Sequence, residues 1–132
     1  MNPKQTDSVT PDSVSLGKKG AKILIAYKIP GETELLPNYP NPFNPETWIP
    51  FRLSEDAMVV LIIYDMTGAV VRTIEVGHQS TAVYESRDKA IYWNGRNDFG
   101  EQVSSGIYFY HLTANDFEAT RKMLFVSYDP MR

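Results

Sequence analysis

The sequence predicts an all-β fold, an antiparallel β-sandwich of about seven short strands. Runs of strand length rich in β-branched and aromatic residues alternate with clusters of Gly, Pro, Asn and Asp, which are typical of turns. No stretch shows a convincing helical period. With 132 residues, 42% of them hydrophobic, the chain has the length and composition of one globular domain with one core.

The charge and the cysteine content of the chain exclude or disfavour several classes of function. The formal net charge is −3, and the 13 Lys and Arg residues are spread along the chain, which argues against a nucleic-acid-binding surface. The chain has no cysteine, so disulfides, thiolate metal sites and cysteine nucleophiles are excluded. No run approaches the ~20 apolar residues of a membrane span, and the first residues do not have the pattern of a signal peptide. We therefore expect an intracellular protein or a piece of a longer exported chain.

Residues 1–34 are predicted to be a linker with one possible extra strand. Residues 1–20 are rich in Ser, Thr, Asp, Lys, Pro and Gly and show no apolar period. Residues 23–29 form a short apolar run, Ile-Leu-Ile-Ala-Tyr-Lys-Ile, which Pro30 and Gly31 close. This pattern favours a strand over a helix, and we expect the run to pack on something.

A proline-rich segment follows at residues 35–46. It holds four prolines within a dozen positions, and proline both fixes its own φ and pushes the preceding residue toward extended geometry. We predict a stiff, extended path from which Tyr39 and Phe43 dock on the domain as pegs. The alternative is a proline-rich ligand for an aromatic groove of another protein.

The predicted sandwich begins with strands at 47–53, 57–64 and 69–74, the last two joined by a hairpin at 65–68. The strand at 57–64 is apolar on both faces, whereas a half-exposed antiparallel strand alternates apolar with polar residues. Something therefore covers its second face. Either the run at 23–29 folds back as an extra strand, or another molecule binds there.

Three further strands are predicted after a polar connection at 77–89. They lie at 89–93, 106–114 and 117–126 and are separated by turn residues. Tyr108, near the start of its strand, resembles the tyrosine corner of immunoglobulin-like folds, in which the hydroxyl bonds to upstream backbone. The sandwich is therefore predicted to be immunoglobulin-like.

The sequence contains no constellation typical of catalysis. Asn94, Arg96 and Asp98 superficially suggest a calcium loop, but Arg96 puts a cation at the third ligand position of an EF-hand, so only a calcium site built from several loops stays open. His78 and His111 lack chelating spacing. No serine has the strand–nucleophile–helix context of an esterase. We predict no enzymatic activity and no cofactor, and we assign no residue as a metal ligand.

Five stretches of the chain resemble the signatures of a known family. In order they resemble its Y-P-N-P-F-N-P, I-Y-D-x-x-G, W-D-G-R-D, S-G-x-Y-F-Y and T-R-K-M signatures. They lie at residues 38–45, 63–68, 93–97, 105–110 and 120–123. Order and spacing match over about ninety residues. The family is the C-terminal sorting domain (type A) of the type IX secretion system, together with the closely similar immunoglobulin-like domain of flagellar hook-capping proteins.

The resemblance implies an immunoglobulin-like sorting domain at 35–126, followed by a tail at 127–132. In the family, such a domain ends an exported protein and is recognised by the outer-membrane secretion machinery. A cell-surface sortase often removes it and attaches the cargo to lipopolysaccharide, and the domain itself catalyses nothing. The implied partners are outer-membrane secretion and sortase proteins and a preceding cargo domain. The implied location is the outer membrane surface or the cell exterior.

The resemblance also implies candidate recognition residues near the family's C-terminal signal. They are Gly106, Tyr108, Tyr110, Arg121 and Lys122. A purely structural role is also open for three of them. Gly106 would provide an unusual backbone angle, and Tyr108 would tether a corner of the fold. Lys122 would be a charge on an edge strand that blocks aggregation. Asn94 stands where the family has Asp, and residues 127–132 extend past the usual end.

Two other functions fit the same fold. A structural or interaction domain of immunoglobulin type, as in hook capping, would use an adhesive edge. A carbohydrate-binding sandwich would need exposed aromatic side chains in a planar row, for which Trp48, Tyr84 and Tyr92 are the candidates.

Overall fold

The computed structural model describes residues 29–127. These residues form nine strands and no helix, so the predicted all-β fold is confirmed. The strands are β1 Glu34–Leu35, β2 Thr47–Ile49, β3 Phe51–Leu53, β4 Ala57–Tyr64, β5 Val70–Gln79, β6 Ala82–Tyr84, β7 Ile91–Trp93, β8 Gly106–Ala114 and β9 Phe117–Phe125.

The strands build the two layers of an antiparallel sandwich. One layer is a four-stranded sheet with the order β5-β4-β8-β9. The other combines a three-stranded sheet, β1-β3-β6, with the two-stranded ribbon β2-β7. The predicted strand at 47–53 is split into β2 and β3 because Pro50 has no backbone N–H to donate to a ladder.

The core lies between the layers and is built by alternation along the strands. On β4 and β8 every second residue is buried: Ala57, Val59, Leu61 and Ile63, and Tyr108, Tyr110, Leu112 and Ala114. The opposite layer contributes Ile49, Phe51, Leu53 and Trp93, each at most 1% exposed. Burying side chains of this size stabilises the fold by about 1.5–3 kcal/mol each.

The segment predicted as a polar connection contains more strand than its composition indicates. β5 continues to Gln79, because Val59 pairs with Gly77 while Val60 pairs with Glu75, which leaves Val76 as the extra residue of a β-bulge. Gly77 has a φ of +91°, a conformation that suits glycine. The bulge lets the chain stay in register with β4, and β6 then follows within the same predicted connection.

Phe43 docks the proline-rich segment on the sandwich, as predicted. Its side chain is 2% exposed and lies against Trp93 and Phe125, at ring-centroid distances of 5.5 and 5.1 Å. Its backbone N–H donates to the Leu124 carbonyl and its own carbonyl accepts from Val126, both at 3.0 Å. The segment therefore covers the C-terminal part of the β9 edge.

The outward face of β4 has no cover among residues 29–127. Met58 is 58% exposed, and the outward Val60, Ile62 and Tyr64 are half-buried. Most of the 23–29 run lies outside the described residues, so its predicted docking stays untested. Its last residue, Ile29, lines a cavity with Arg52, which points away from the core on the other layer.

Candidate functional site

The site implied by the family signatures lies on β8 and β9, and Gly106 begins it. Gly106 pairs with Phe125 and has a φ of +155°, which side-chain-bearing residues rarely adopt. A Cβ atom placed there would meet nothing within 4 Å. The backbone angle, and not a lack of space, is therefore the reason for glycine at this position.

Tyr108 forms the predicted tyrosine corner. Its hydroxyl donates to the Ser104 carbonyl, four residues upstream, at 2.6 Å. The ring is 6% exposed and meets the Trp93 ring edge-on at 5.9 Å. Tyr108 thus ties the connection that precedes β8 to the core, a structural role.

Tyr110 joins the proline-rich segment to the four-stranded sheet. Its side chain is fully buried, its hydroxyl donates to the Leu36 carbonyl at 2.8 Å, and it accepts the Asn38 N–H at 2.9 Å. Burial disfavours the phenolate and raises the pKa of Tyr110 to about 12. Two backbone groups of the proline-rich segment depend on this single hydroxyl.

Arg121 and Lys122 are both exposed, but their side chains point to different sides of the sheet. Arg121 pairs with the inward-facing Tyr110, and its Nε donates to the Leu35 carbonyl at 2.8 Å. Lys122 pairs with Phe109 on the outward face, and its side chain forms no hydrogen bond with any of residues 29–127. The five candidates therefore do not form one surface, and Lys122 is the one most available to a partner.

The residues tested for metal or acid–base chemistry are not brought together. Asn94 Oδ1 accepts from the Arg96 N–H and from the Arg72 guanidinium, and Asp98 Oδ1 accepts from the Thr73 N–H, so these oxygens stabilise the loop itself. No group of three or more His, Asp or Glu side chains within the described range could hold a metal ion. His111, on β8, contacts Thr120 and Glu118.

The aromatic candidates for carbohydrate binding do not form a planar row. Trp48 and Tyr92 are neighbours on the outward face of the β2-β7 ribbon, 5.4 Å apart, but their rings are tilted by 51°. The Arg87 guanidinium lies 4.1 Å over the Trp48 ring. Tyr84 is elsewhere and stacks on Phe51 at 4.7 Å. Tyr39, predicted as a docking peg and not as a carbohydrate-binding residue, pairs with Trp48 and extends this aromatic cluster.

Residues 43–117, more than half of the 132-residue chain, match the family described as FlgD Ig-like domain. The chain belongs to this family. The match ends at Phe117, so Arg121 and Lys122 lie beyond it. Sequence comparison with curated proteins finds no match. None of the described residues forms a helix long and apolar enough to cross a membrane.

Two solved structures are similar to this FlgD Ig-like domain. Dimeric latent PorU from Porphyromonas gingivalis aligns with a TM-score of 0.54 and 23% identity over 73% of this chain and 9% of its own. PorZ, a surface component of the type IX secretion system of the same organism, aligns with a TM-score of 0.47 and 20% identity over 71% of this chain and 11% of its own. The chain spans about a tenth of either protein, and the PorU alignment shows a shared fold.

Proposed function

We propose that this FlgD Ig-like domain is a non-catalytic sorting and surface-anchoring module, recognised by the type IX secretion machinery. The proposal rests on the five signature stretches and on one structural observation, namely that the first and last of them are adjacent. The N–H of Leu124, next to the closing stretch, donates to Asn41 Oδ1 at 3.0 Å, and Phe43 bonds to the same strand. A receptor would therefore meet the signatures as one folded unit.

The middle stretches belong to the same unit. Trp93 from the third stretch packs on Tyr108 from the fourth, and Phe43 from the first packs on Trp93. In the second stretch, Asp65 Oδ1 accepts the Thr67 and Ala69 N–H groups and closes the β4–β5 hairpin. This packing supports a role in which the folded domain is read by protein contacts.

The proposed partners are the outer-membrane secretion proteins and a surface sortase that joins a preceding cargo to lipopolysaccharide. The proposed location is the outer membrane surface or the cell exterior. Lys122 is the proposed contact among the five candidate residues, because it is exposed on the outward face of β9.

A reporter fusion tests this function. The full 132-residue chain would follow a reporter that carries an inner-membrane export signal, in a bacterium with the type IX system. We expect the reporter at the surface or in the medium, and in the periplasm of a strain that lacks the system. Periplasmic retention in both strains would contradict the proposal.

A structural immunoglobulin-like domain is the second candidate, and the family match itself favours it. Such a domain would hold neighbouring domains or subunits in place without serving as an address. In the same fusion experiment it would leave the reporter in the periplasm of both strains while the domain remained folded.

A further inference from the structure

Phe99 is the most exposed large apolar side chain of the described range. Its exposed fraction is 87%, against 67% for Met66 and 58% for Met58. It lies in the connection between β7 and β8, outside the residues singled out by the family signatures. A ring this exposed contributes nothing to the core, so its presence calls for a different explanation.

The loop that carries Phe99 is fixed by its own hydrogen bonds. Asn97 Oδ1 accepts the N–H groups of Phe99 and Glu101, both at 2.9 Å, and the Asn97 N–H donates to the Glu101 carbonyl at 2.9 Å. The loop is also bonded to β5, since the Asp98 N–H donates to the Val71 carbonyl at 2.9 Å. The ring is thus held outward by an ordered backbone, which lowers the entropy lost on binding.

An open groove of about 470 Å³ lies beside the Phe99 ring. Val70, Val71 and Val103 give it an apolar floor. Val70 is 55% exposed and pairs with Tyr64, the first step of a cross-strand row that runs through Phe109 to Lys122. The groove is therefore continuous with the outward face that carries the exposed lysine.

The rim of the groove is anionic. Asp65 and Asp98 line the groove, and Glu101 lies on the same loop, where its carboxylate accepts from the side-chain amide of the lining residue Asn97 at 3.0 Å. Hydrogen bonding from Thr67 lowers the pKa of Asp65, so this group is ionised at neutral pH. The nearby cations are Arg72, which donates to the Arg96 carbonyl, and Arg96, which donates to the Gly100 carbonyl. Arg72 Nε also lies 3.8 Å from Asp98 Oδ1, so this cation compensates the charge of Asp98. Asp65 and Glu101 form no salt bridge within residues 29–127, and the three carboxylates outnumber the two guanidinium groups, so the border of the groove keeps a net negative charge.

We propose that the Phe99 ring and the groove beside it are the surface by which this domain docks on a protein partner. The partner site that fits is an apolar pocket for one phenyl ring, bordered by lysine or arginine side chains, because aromatic anchors in such pockets dominate protein interfaces. The inference rests on the proposed sorting function and assigns the partner to the secretion machinery that reads the domain.

The variant Phe99→Ser, in the reporter fusion of the full chain, tests the inference. We expect surface reporter to fall at least roughly tenfold, as for an interface anchor, while Phe99→Tyr stays near the unsubstituted fusion. The matched control is Met58→Ser, an exposed apolar residue on the outward face of β4, which we expect to be exported normally. The melting temperature of each purified chain should be unchanged, because neither side chain is part of the core.

Normal export of Phe99→Ser, or an equal loss for Met58→Ser, would overturn the inference while the unsubstituted fusion still supports the sorting function. Retention of the unsubstituted fusion would overturn the sorting function and, with it, this assignment of the partner. Glu101→Gln tests the basic border, because glutamine keeps an oxygen for the Asn97 amide but removes the charge. We expect a smaller loss of export, and no change would overturn that part of the inference.

Discussion

At the scale of single residues, the signature tyrosines stabilise the fold through their hydroxyl groups. Tyr108 bonds to the Ser104 carbonyl, and Tyr110 bonds to both Leu36 and Asn38 of the proline-rich segment. A buried backbone group that loses its partner costs about 1–3 kcal/mol, so these hydroxyls explain why tyrosine and not phenylalanine stands there. Tyr108 and Tyr110, two of the five candidate recognition residues, thus each stabilise the fold.

Because of Tyr110, we expect the stability of the domain to fall at alkaline pH. Its folded pKa of about 12 lies above the unfolded value of about 10, so the native state holds the proton more tightly. The stabilisation is complete below pH ~10 and is lost as the pH rises toward ~12. We expect the free energy of unfolding, measured by urea titration, to fall over this interval. In Tyr110→Phe the fall should be smaller, and an identical pH profile would contradict the assignment.

At the scale of elements, the connection between β7 and β8 depends on two glycines for different reasons. Gly95 is buried with a φ of +77°, and a Cβ there would lie 2.5 Å from the Pro45 carbonyl oxygen. Gly100 has a φ of +85°, and a Cβ there would meet nothing within 4 Å. The proline-rich segment thus constrains the loop at one glycine only.

Alanine at each glycine separates backbone conformation from close approach. Gly100→Ala should cost about 1–2 kcal/mol, the penalty of left-handed backbone for an L-residue. Gly95→Ala has the same conformational penalty, and its Cβ must also displace the backbone at Pro45. We therefore expect the free energy of unfolding to fall by more than about 2 kcal/mol. Urea unfolding of both variants measures the difference. Equal losses would mean that the loop relaxes away from Pro45 without resistance.

The elements also show where local patterns were sufficient. The alternation along residues 106–114 and 117–126 gave β8 and β9 almost to the residue. The connection at 77–89 was misjudged, because a bulge at Val76 and the pairing of Ala82 with Leu53 depend on partners distant in the chain. The polar composition of this segment predicts a loop. Its backbone nevertheless forms strands, because it can hydrogen-bond to neighbouring strands of the sheets.

At the scale of the whole molecule, one core joins the sandwich to the proline-rich segment. Phe43, outside the strands, is among the largest fully buried side chains and contacts aromatic rings from both layers. The outer surface carries the two residues proposed to contact partners, the Phe99 ring and Lys122. The residues that build the core are therefore distinct from those proposed to contact partners.

Two phenylalanines test this separation. Phe43→Ala should lower the free energy of unfolding by about 3–5 kcal/mol, because it leaves a cavity where two rings meet and opens the β9 edge. Phe99→Ala removes the same phenyl group from an 87% exposed site, so the free energy of unfolding should change by less than about 0.5 kcal/mol. Denaturant unfolding of both variants gives the comparison. A small effect at Phe43 would mean that the proline-rich segment is not part of the core.

The sequence by itself determined the fold class, most strand positions, the docking of Phe43 and the corner at Tyr108, because alternation and turn chemistry act between neighbours in the chain. Only the tertiary structure decided which candidate residues are accessible to a partner. It also decided that the aromatic candidates for carbohydrate binding do not lie in one plane and that Phe99 lies exposed beside a groove. Burial and surface continuity depend on which strands pair across the two layers. Those pairings join residues far apart in sequence, such as Asn38 and Tyr110, and no local pattern encodes them.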